Sequence, residues 1–258
     1  MIRDATNSDK THILEFCKNT FFWGDYVQDV WNYWIAEGHL FLFENPSPVG
    51  ICHAFFTKDQ IWIEGIRIDP SFRRCKIASS LVNHAESIAK EKHCIFSYML
   101  IDTENSNSVK MALSLEYDIS QTWNFYSLLP KKNLNFHIQF ASFFNSEKFP
   151  HYVKSWRWIP LDDGVSSMLC QKRKIITSKV DGIETFAILS DSEHFEKTLI
   201  VTLFFGSKKS CLEIISFLEN HAFENNYSRI QILTQAQLSF DDSLEHKLSF
   251  HLMKKLLS

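Results

Sequence analysis

Residues 61–105 constrain this chain more than any other stretch, because they read as an apolar strand, a cationic turn, an amphipathic helix and a second strand. After Pro70 the apolar residues Ile77, Ala78, Leu81, Val82, Ala85, Ile88 and Ala89 recur at helical spacing and define one buried stripe. The spacing predicts strands over 61–68 and 94–101 joined by a helix over 73–92, a parallel crossover that is right-handed in nearly all sheets. The start of that helix carries Arg73, Arg74 and Lys76. Cations there oppose the positive end of the helix dipole and crowd unpaired backbone N–H groups. A phosphate docked at the helix start relieves the conflict.

These residues resemble the acyl-CoA-binding core of the GNAT superfamily of N-acetyltransferases. That family's signature, Arg/Gln-x-x-Gly-x-Gly/Ala, follows a strand ending in an apolar-x-Pro element. Here the signature reads Arg73-x-x-Lys76-x-Ala78, after Glu64-Gly65-Ile66-Arg67-Ile68-x-Pro70. Asn105 falls where the family often places an asparagine, residues 2–5 resemble its first strand, and residues 38–56 resemble its second and third. The likeness covers about residues 1–128. It implies acetyl-CoA as the cofactor, with its pyrophosphate held by Arg73, Arg74 and Lys76 together with Cys75, Ile77, Ala78 and Ser79. Backbone groups of Ile66, Arg67 and Ile68 would hold the pantetheine, and a backbone N–H there would polarise the thioester carbonyl. Asn105 and Ser108 would bond the pantetheine arm, or cap the next helix.

The pattern departs from the family at three positions. Lys76 replaces a glycine, which suits a position with helical φ and ψ and puts an ammonium beside the phosphates. Glu116 replaces the glycine of a Gly-Phe pair. Ala112 falls where many members carry a tyrosine acid; Tyr98, Tyr117 and Tyr126 are the candidates to replace it, and each also reads as a core or rim aromatic.

Glu64 is the expected general base. In a regular strand it shares a face with Ile66 and Ile68, and a partly buried carboxylate can take a proton from an incoming ammonium. Its alternative is an ion pair with Arg67. The aromatic segment with Phe21, Phe22, Trp23, Tyr26, Trp31, Tyr33 and Trp34, together with Asp25 and Asp29, falls where the family walls the acceptor site. Aromatic faces and carboxylates suit an amine; core packing is the other reading. The eleven histidines show no metal-ligand spacing, so no metal is expected.

A net charge of −3 argues against a dedicated nucleic-acid binder. Six cysteines without Cys-x-x-Cys spacing are expected as reduced thiols. The start Met1-Ile2-Arg3-Asp4 lacks an apolar signal core, and no run reaches the ~20 apolar residues that span a bilayer. Cytoplasmic residence without a membrane partner follows as the expectation.

The 258 residues accommodate two domains. Two short helices are expected within 11–37, a hairpin over 39–56, then a helix over 106–115 and a strand over 121–128. The boundary is placed in the Asn- and Phe-rich stretch 131–152, giving an acyl-CoA-binding domain over 1–130 and a second over 131–258. Residues 156–161 read as a strand of either half. The second half repeats the first in weaker form: strands near 167–177, 183–189 and 198–205, a helix over 210–225 and a strand over 229–234. It lacks the arginine signature and reads as a degenerate GNAT-like unit or another α+β lobe.

The sequence therefore reads as an α/β protein with a mixed sheet, a GNAT-like domain followed by a smaller one. The expected function is transfer of an acetyl group from acetyl-CoA to a primary amine, on a small molecule or peptide, in a ternary complex. The alternative is a non-catalytic CoA-binding or interaction module. The expected assembly is a monomer with an internal pseudo-dimer, or a homodimer.

Overall fold

The computed structural model describes residues 1–18, 20 and 24–257. Phe21, Phe22 and Trp23, part of the expected acceptor wall, lie outside the described residues. The backbone divides into two compact units, Met1–Ser120 with Leu252–Ser258, and Gln121–His251. Where the sequence suggests a boundary at 130/131, the division falls at 120/121 and the end of the chain returns to the first unit.

The first unit runs β1 (Ile2–Asp4), α1 (Lys10–Cys17), α2 (Val27–Glu37), β2 (Leu40–Glu44), β3 (Pro48–Thr57), β4 (Gln60–Ile68), α3 (Ile77–Glu91), β5 (Phe96–Asp102) and α4 (Ser106–Ser114). Strands β1 to β4 are antiparallel neighbours, and β4 pairs in parallel with β5 across the α3 crossover. Helices α1 and α2 cover one face with a core of Ile13, Trp31, Trp34, Leu40, Leu42 and Ile51. Helix α3 covers the other, where Leu81, Val82, Ala85 and Ala89 meet Ile61 and Ile63. Each fully buried Leu or Val contributes about 1.5–3 kcal/mol of apolar burial, so the 3.6-residue stripe decides which face α3 turns inward.

Residues from Leu252 onward belong to the first unit. Met253 and Leu257 join its core, the Leu257 N–H donates to the Ile95 carbonyl at 2.8 Å, and Lys255 donates to Glu86 on α3 at 2.7 Å. Tyr117 donates to the other Glu86 oxygen at 2.7 Å and bonds Ser97, so a buried carboxylate is neutralised from one side and hydrogen-bonded from the other.

The second unit takes residues from Gln121 in β6 (Asp118–Leu128), then β7 (Gln139–Phe140), β8 (His151–Lys154), β9 (Arg157–Pro160), α5 (Asp163–Gln171), β10 (Ile175–Val180), β11 (Ile183–Asp191), β12 (Thr198–Phe204), α6 (Lys208–Glu224), β13 (Arg229–Thr234) and the first part of β14 (Glu245–Leu256). Strands β10, β11 and β12 are antiparallel neighbours, and β12 pairs in parallel with β13 across α6. That order repeats β2, β3, β4, α3 and β5. Residues read as a strand over 156–161 form β9, which pairs with β8. The strand expected over 167–177 is instead a helix to Gln171 and a strand from Ile175. The Asp162 side chain caps the helix by accepting the Val165 N–H, and the buried Ser166, Leu169 and Cys170 follow helical spacing. Among the described residues no helix is long and apolar enough to cross a membrane.

Candidate functional site

Strand β4 carries the site, and its geometry starts at one glycine. Against β3, Glu64 lies opposite His53 and Arg67 opposite Ile51, so Gly65 and Ile66 together oppose Cys52 in a β-bulge. Gly65 has φ +64°, a conformation glycine adopts without penalty. The extra residue corrects the expected facing. Ile66 and Ile68 pack on the α3 side, whereas Glu64 and Arg67 both turn to the α1–α2 side, beside His53 and Asp25.

Beyond the bulge the sheet opens. Among the described residues, strand β4 pairs with β5 from Gln60 to Ile63 and not beyond. Backbone of residues 64–68 therefore borders a gap on its β5 side. The Ile66 carbonyl accepts from Arg67 Nη1 at 3.1 Å, and the Ile68 carbonyl accepts from Arg73 Nε at 3.4 Å.

Glu64 is held on both oxygens. Oε1 lies 2.9 Å from His53 Nδ1, and Oε2 accepts from the Trp62 indole N–H at 3.1 Å. His53 is fully buried, its other nitrogen is 3.1 Å from the Gly38 carbonyl, and the Trp34 ring stacks on it at 5.0 Å and 8°. Glu64 keeps part of its side chain exposed. The sequence did not single out His53; its signal was a histidine inside a strand otherwise built of apolar residues.

The Arg67 guanidinium grips Asp25 with Nε at 2.6 Å and Nη2 at 3.1 Å and lies over the Tyr26 ring. Burial pushes the Tyr26 hydroxyl above its ordinary pKa, Arg67 opposing. Of the expected acceptor wall, Trp31 and Trp34 are core residues, Asp25 is committed to Arg67, and Asp29 and Tyr33 are exposed.

The cationic turn also departs from expectation. Helix α3 starts at Ile77, three or four residues later than its apolar stripe suggested. Residues 73–76 form a loop in which Arg74 and Lys76 both have left-handed backbones, φ +67° and +58°. Lys76 therefore sits where a glycine has a conformational reason to be, not at a helical φ. The first α3 bond runs from the Ser80 N–H to the Lys76 carbonyl at 2.9 Å, and Lys76 provides no side-chain cap. Arg73, Arg74, Cys75 and Lys76 are exposed, Ala78 and Ser79 are half-buried and Ile77 is in the core. Arg74 donates to Asn107 on α4 at 3.2 Å. A turn alternating into left-handed conformations before an uncapped helix aims backbone N–H groups into one concavity, which suits an anion.

Asn105 takes its capping role, accepting the Ser108 N–H at 3.1 Å. Two of the three tyrosines have hydroxyl partners elsewhere, and the third is buried. Tyr117 is buried in the Glu86 and Ser97 network, with its pKa pushed well up by burial; Tyr98 is buried and pushed up to about 12; Tyr126 in the second unit accepts the Leu238 N–H at 2.8 Å. Ala112 is core, and Glu116 holds the left-handed conformation, φ +69°, where the family pattern has glycine. The described residues contain no cluster able to hold a metal.

The second unit lacks both devices. Strands β12 and β13 pair without interruption from Thr198 to Leu203. The start of α6 is closed by hydroxyls: its N-cap Ser207 accepts the Ser210 N–H, and Thr185 Oγ1 on β11 accepts the Gly206 N–H at 3.0 Å. Its cavity of about 460 Å³, lined by Tyr126, Asp241 and His246 among others, shares no residue with the Glu64 site.

Residues 9–117 match the sequence profile of the acetyltransferase (GNAT) family. A candidate acetyltransferase from Thermoplasma acidophilum superposes with a TM-score of 0.66 at 15% identity, over 99% of this chain and 99% of its own. A GCN5-related N-acetyltransferase from Sphaerobacter thermophilus gives 0.64 at 9% identity, over 100% of this chain and 95% of its own. A tandem GNAT protein from the clavulanic acid biosynthesis pathway gives 0.57 at 9% identity, over 100% and 98%. At such identities the likeness is one of fold. No curated protein matches in sequence.

Proposed function

We propose that the first unit, whose residues 9–117 match the acetyltransferase (GNAT) profile, transfers an acetyl group from acetyl-CoA to a primary amine. The observation that carries the reading is the parting of β4 from β5 after Ile63, with Glu64 at the fork. An opened parallel pair offers backbone groups of Ile66, Arg67 and Ile68 to an extended chain such as pantetheine. The loop 73–76 and the α3 start fit a pyrophosphate: they offer backbone N–H groups, and Arg73, Arg74 and Lys76 stand exposed around them. Bound acetyl-CoA would supply the activated thioester. Glu64 takes the proton of the incoming ammonium, and the fold contributes by holding amine and carbonyl together and by aiming N–H donors at the carbonyl oxygen. The acceptor is a small molecule or a peptide amine, reaching Glu64 on the α1–α2 side of β4. The second unit, with its strands closed and its helix start capped, is non-catalytic.

Occupation of the Tyr117 and Tyr126 hydroxyls by other partners, with Tyr98 buried, favours a second reading, a CoA-binding module that performs no transfer. Calorimetry with CoA and release of free thiol from acetyl-CoA with a panel of amines separate the two. The enzyme reading expects binding and thiol release, and replacing Arg73 and Arg74 with alanine is expected to weaken CoA about tenfold or more, ~1.4 kcal/mol. Binding without thiol release selects the second reading. Absence of CoA binding overturns both.

A further inference from the structure

The Glu64 site holds a histidine that neither the family signature nor the proposed reaction uses. His53 Nε2 lies 3.1 Å from the Gly38 carbonyl, and a carbonyl oxygen only accepts, so Nε2 carries a hydrogen. Its other nitrogen is 2.9 Å from Glu64 Oε1, a hydrogen-bond length that requires a proton between two atoms otherwise bearing lone pairs. Glu37 Oε2 stands a further 3.6 Å from Nε2. Every polar group facing the ring is thus an acceptor, from the end of α2 on one side and from β4 on the other, and the Trp34 face lies parallel above it. The titratable neighbours on the surrounding elements are Glu64 on β4, Glu37 on α2, Cys52 beside it on β3 and His39 ahead of β2. Burial holds Cys52 as a thiol and His39 below its ordinary pKa. The Arg67 cation farther along β4 is matched by Asp25.

We propose that His53 is a positioning residue for Glu64: a buried imidazolium that donates Nδ1–H to Oε1 and Nε2–H to the Gly38 carbonyl. It keeps the carboxylate ionised and engages Oε1, so that Oε2, which also accepts the Trp62 N–H, meets the acceptor's proton. A cation 2.9 Å away favours the ionised carboxylate. Trp34 fixes the ring plane, and the bulge at Gly65 fixes which face Glu64 occupies. This role rests on the transfer reading for its consequence in catalysis, and not for its structural content.

The first measurement is free of activity. Nitrogen-15 imidazole spectra of the whole chain at neutral pH are expected to show hydrogens on both nitrogens of His53, and Glu64→Gln is expected to remove the one on Nδ1. The second is the pH profile of kcat/KM. His53→Gln retains a neutral donor of similar reach, and is expected to move the acid limb upward by about one to three pH units, the displacement an adjacent cation produces on a carboxyl group. A purely structural histidine leaves the limb in place when glutamine keeps the fold. A bare Nδ1 in the wild-type protein, or an unmoved acid limb in a folded His53→Gln, overturns the proposal. If no amine is acetylated at all, the transfer reading fails by itself and the spectra alone judge His53.

Discussion

Gly65 lies directly against Trp34: a Cβ built on the glycine would stand 2.2 Å from Trp34 Cη2, and the same residue has φ +64°. One position thus satisfies a backbone conformation, a close approach by the α2 indole and the bulge that turns Glu64 toward His53. Gly65→Ala is expected to lose roughly 2–4 kcal/mol, combining left-handed strain with overpacking. Urea denaturation measures it, and a change within experimental error would mean that Trp34 is free to move aside.

Lys76 holds φ +58° at the foot of α3. Lys76→Gly is expected to raise stability by about 1 kcal/mol, since only the lysine bears the left-handed penalty. The same change is expected to weaken CoA binding severalfold by removing an exposed ammonium beside the phosphate cradle. Thermal melting and calorimetry on one variant read the two effects with opposite signs; a loss of stability would contradict the backbone assignment.

Asp9 accepts both Nη groups of Arg3 at 2.9 Å as well as the Thr6 N–H at 2.8 Å. The Arg3 hydrogen bonds, the largest cause, hold its carboxyl well below the usual carboxylate range. Because the folded-state value is depressed, the bond stabilises the fold above the ordinary carboxyl pKa of about 4 and is lost as pH falls below that value. Asp9→Asn is expected to cost about 1–2 kcal/mol at pH 7. Urea midpoints taken down to pH 2 should show wild type and variant converging; a constant difference would place the effect elsewhere.

Lys255 and Glu86 form a pair with little solvent on either side chain. Lys255→Met leaves the Glu86 charge buried and is expected to cost roughly 3–5 kcal/mol, much of it restored by adding Glu86→Gln. Equilibrium unfolding of the single and double variants checks both statements. A double variant as unstable as the single one would show that the charge was not the cause.

Much of the first unit is legible in its sequence, because its strands alternate and its helices repeat at 3.6 residues. The apolar stripe from Ile77 to Ala89 names the buried face of α3, and the turn at residues 44–48 marks the hairpin. Start signals were weaker. Cations from Arg73 to Lys76 were read as the first turn of α3, but they lie in a loop, since apolar spacing fixes a helix face and not its first residue. The facing of Glu64 is not legible: one inserted residue at Gly65 reverses a period-two pattern, and a bulge leaves no more trace than a glycine. His53 was invisible for a related reason, since its partners come from β4 and the end of α2. In the second unit the strand expected over 167–177 overlaps a helix as far as Gln171, for which Asp162 supplies a capping side chain. The last strand leaves little sequence signal because its fully buried apolar residues are Leu252 and Met253, with Leu257 just past its end.

That last strand sets an order of events. Met253 and Leu257 complete a core whose other members lie between Phe41 and Tyr117, so the first unit is translated long before it can close. While the 131 residues of Gln121–His251 are being made, about 7–26 s pass at ordinary translation speeds of 5–20 residues per second. During that interval the core of the first unit lacks Met253 and Leu257. The second unit can fold first, and the core of the first unit is complete only once both residues join it.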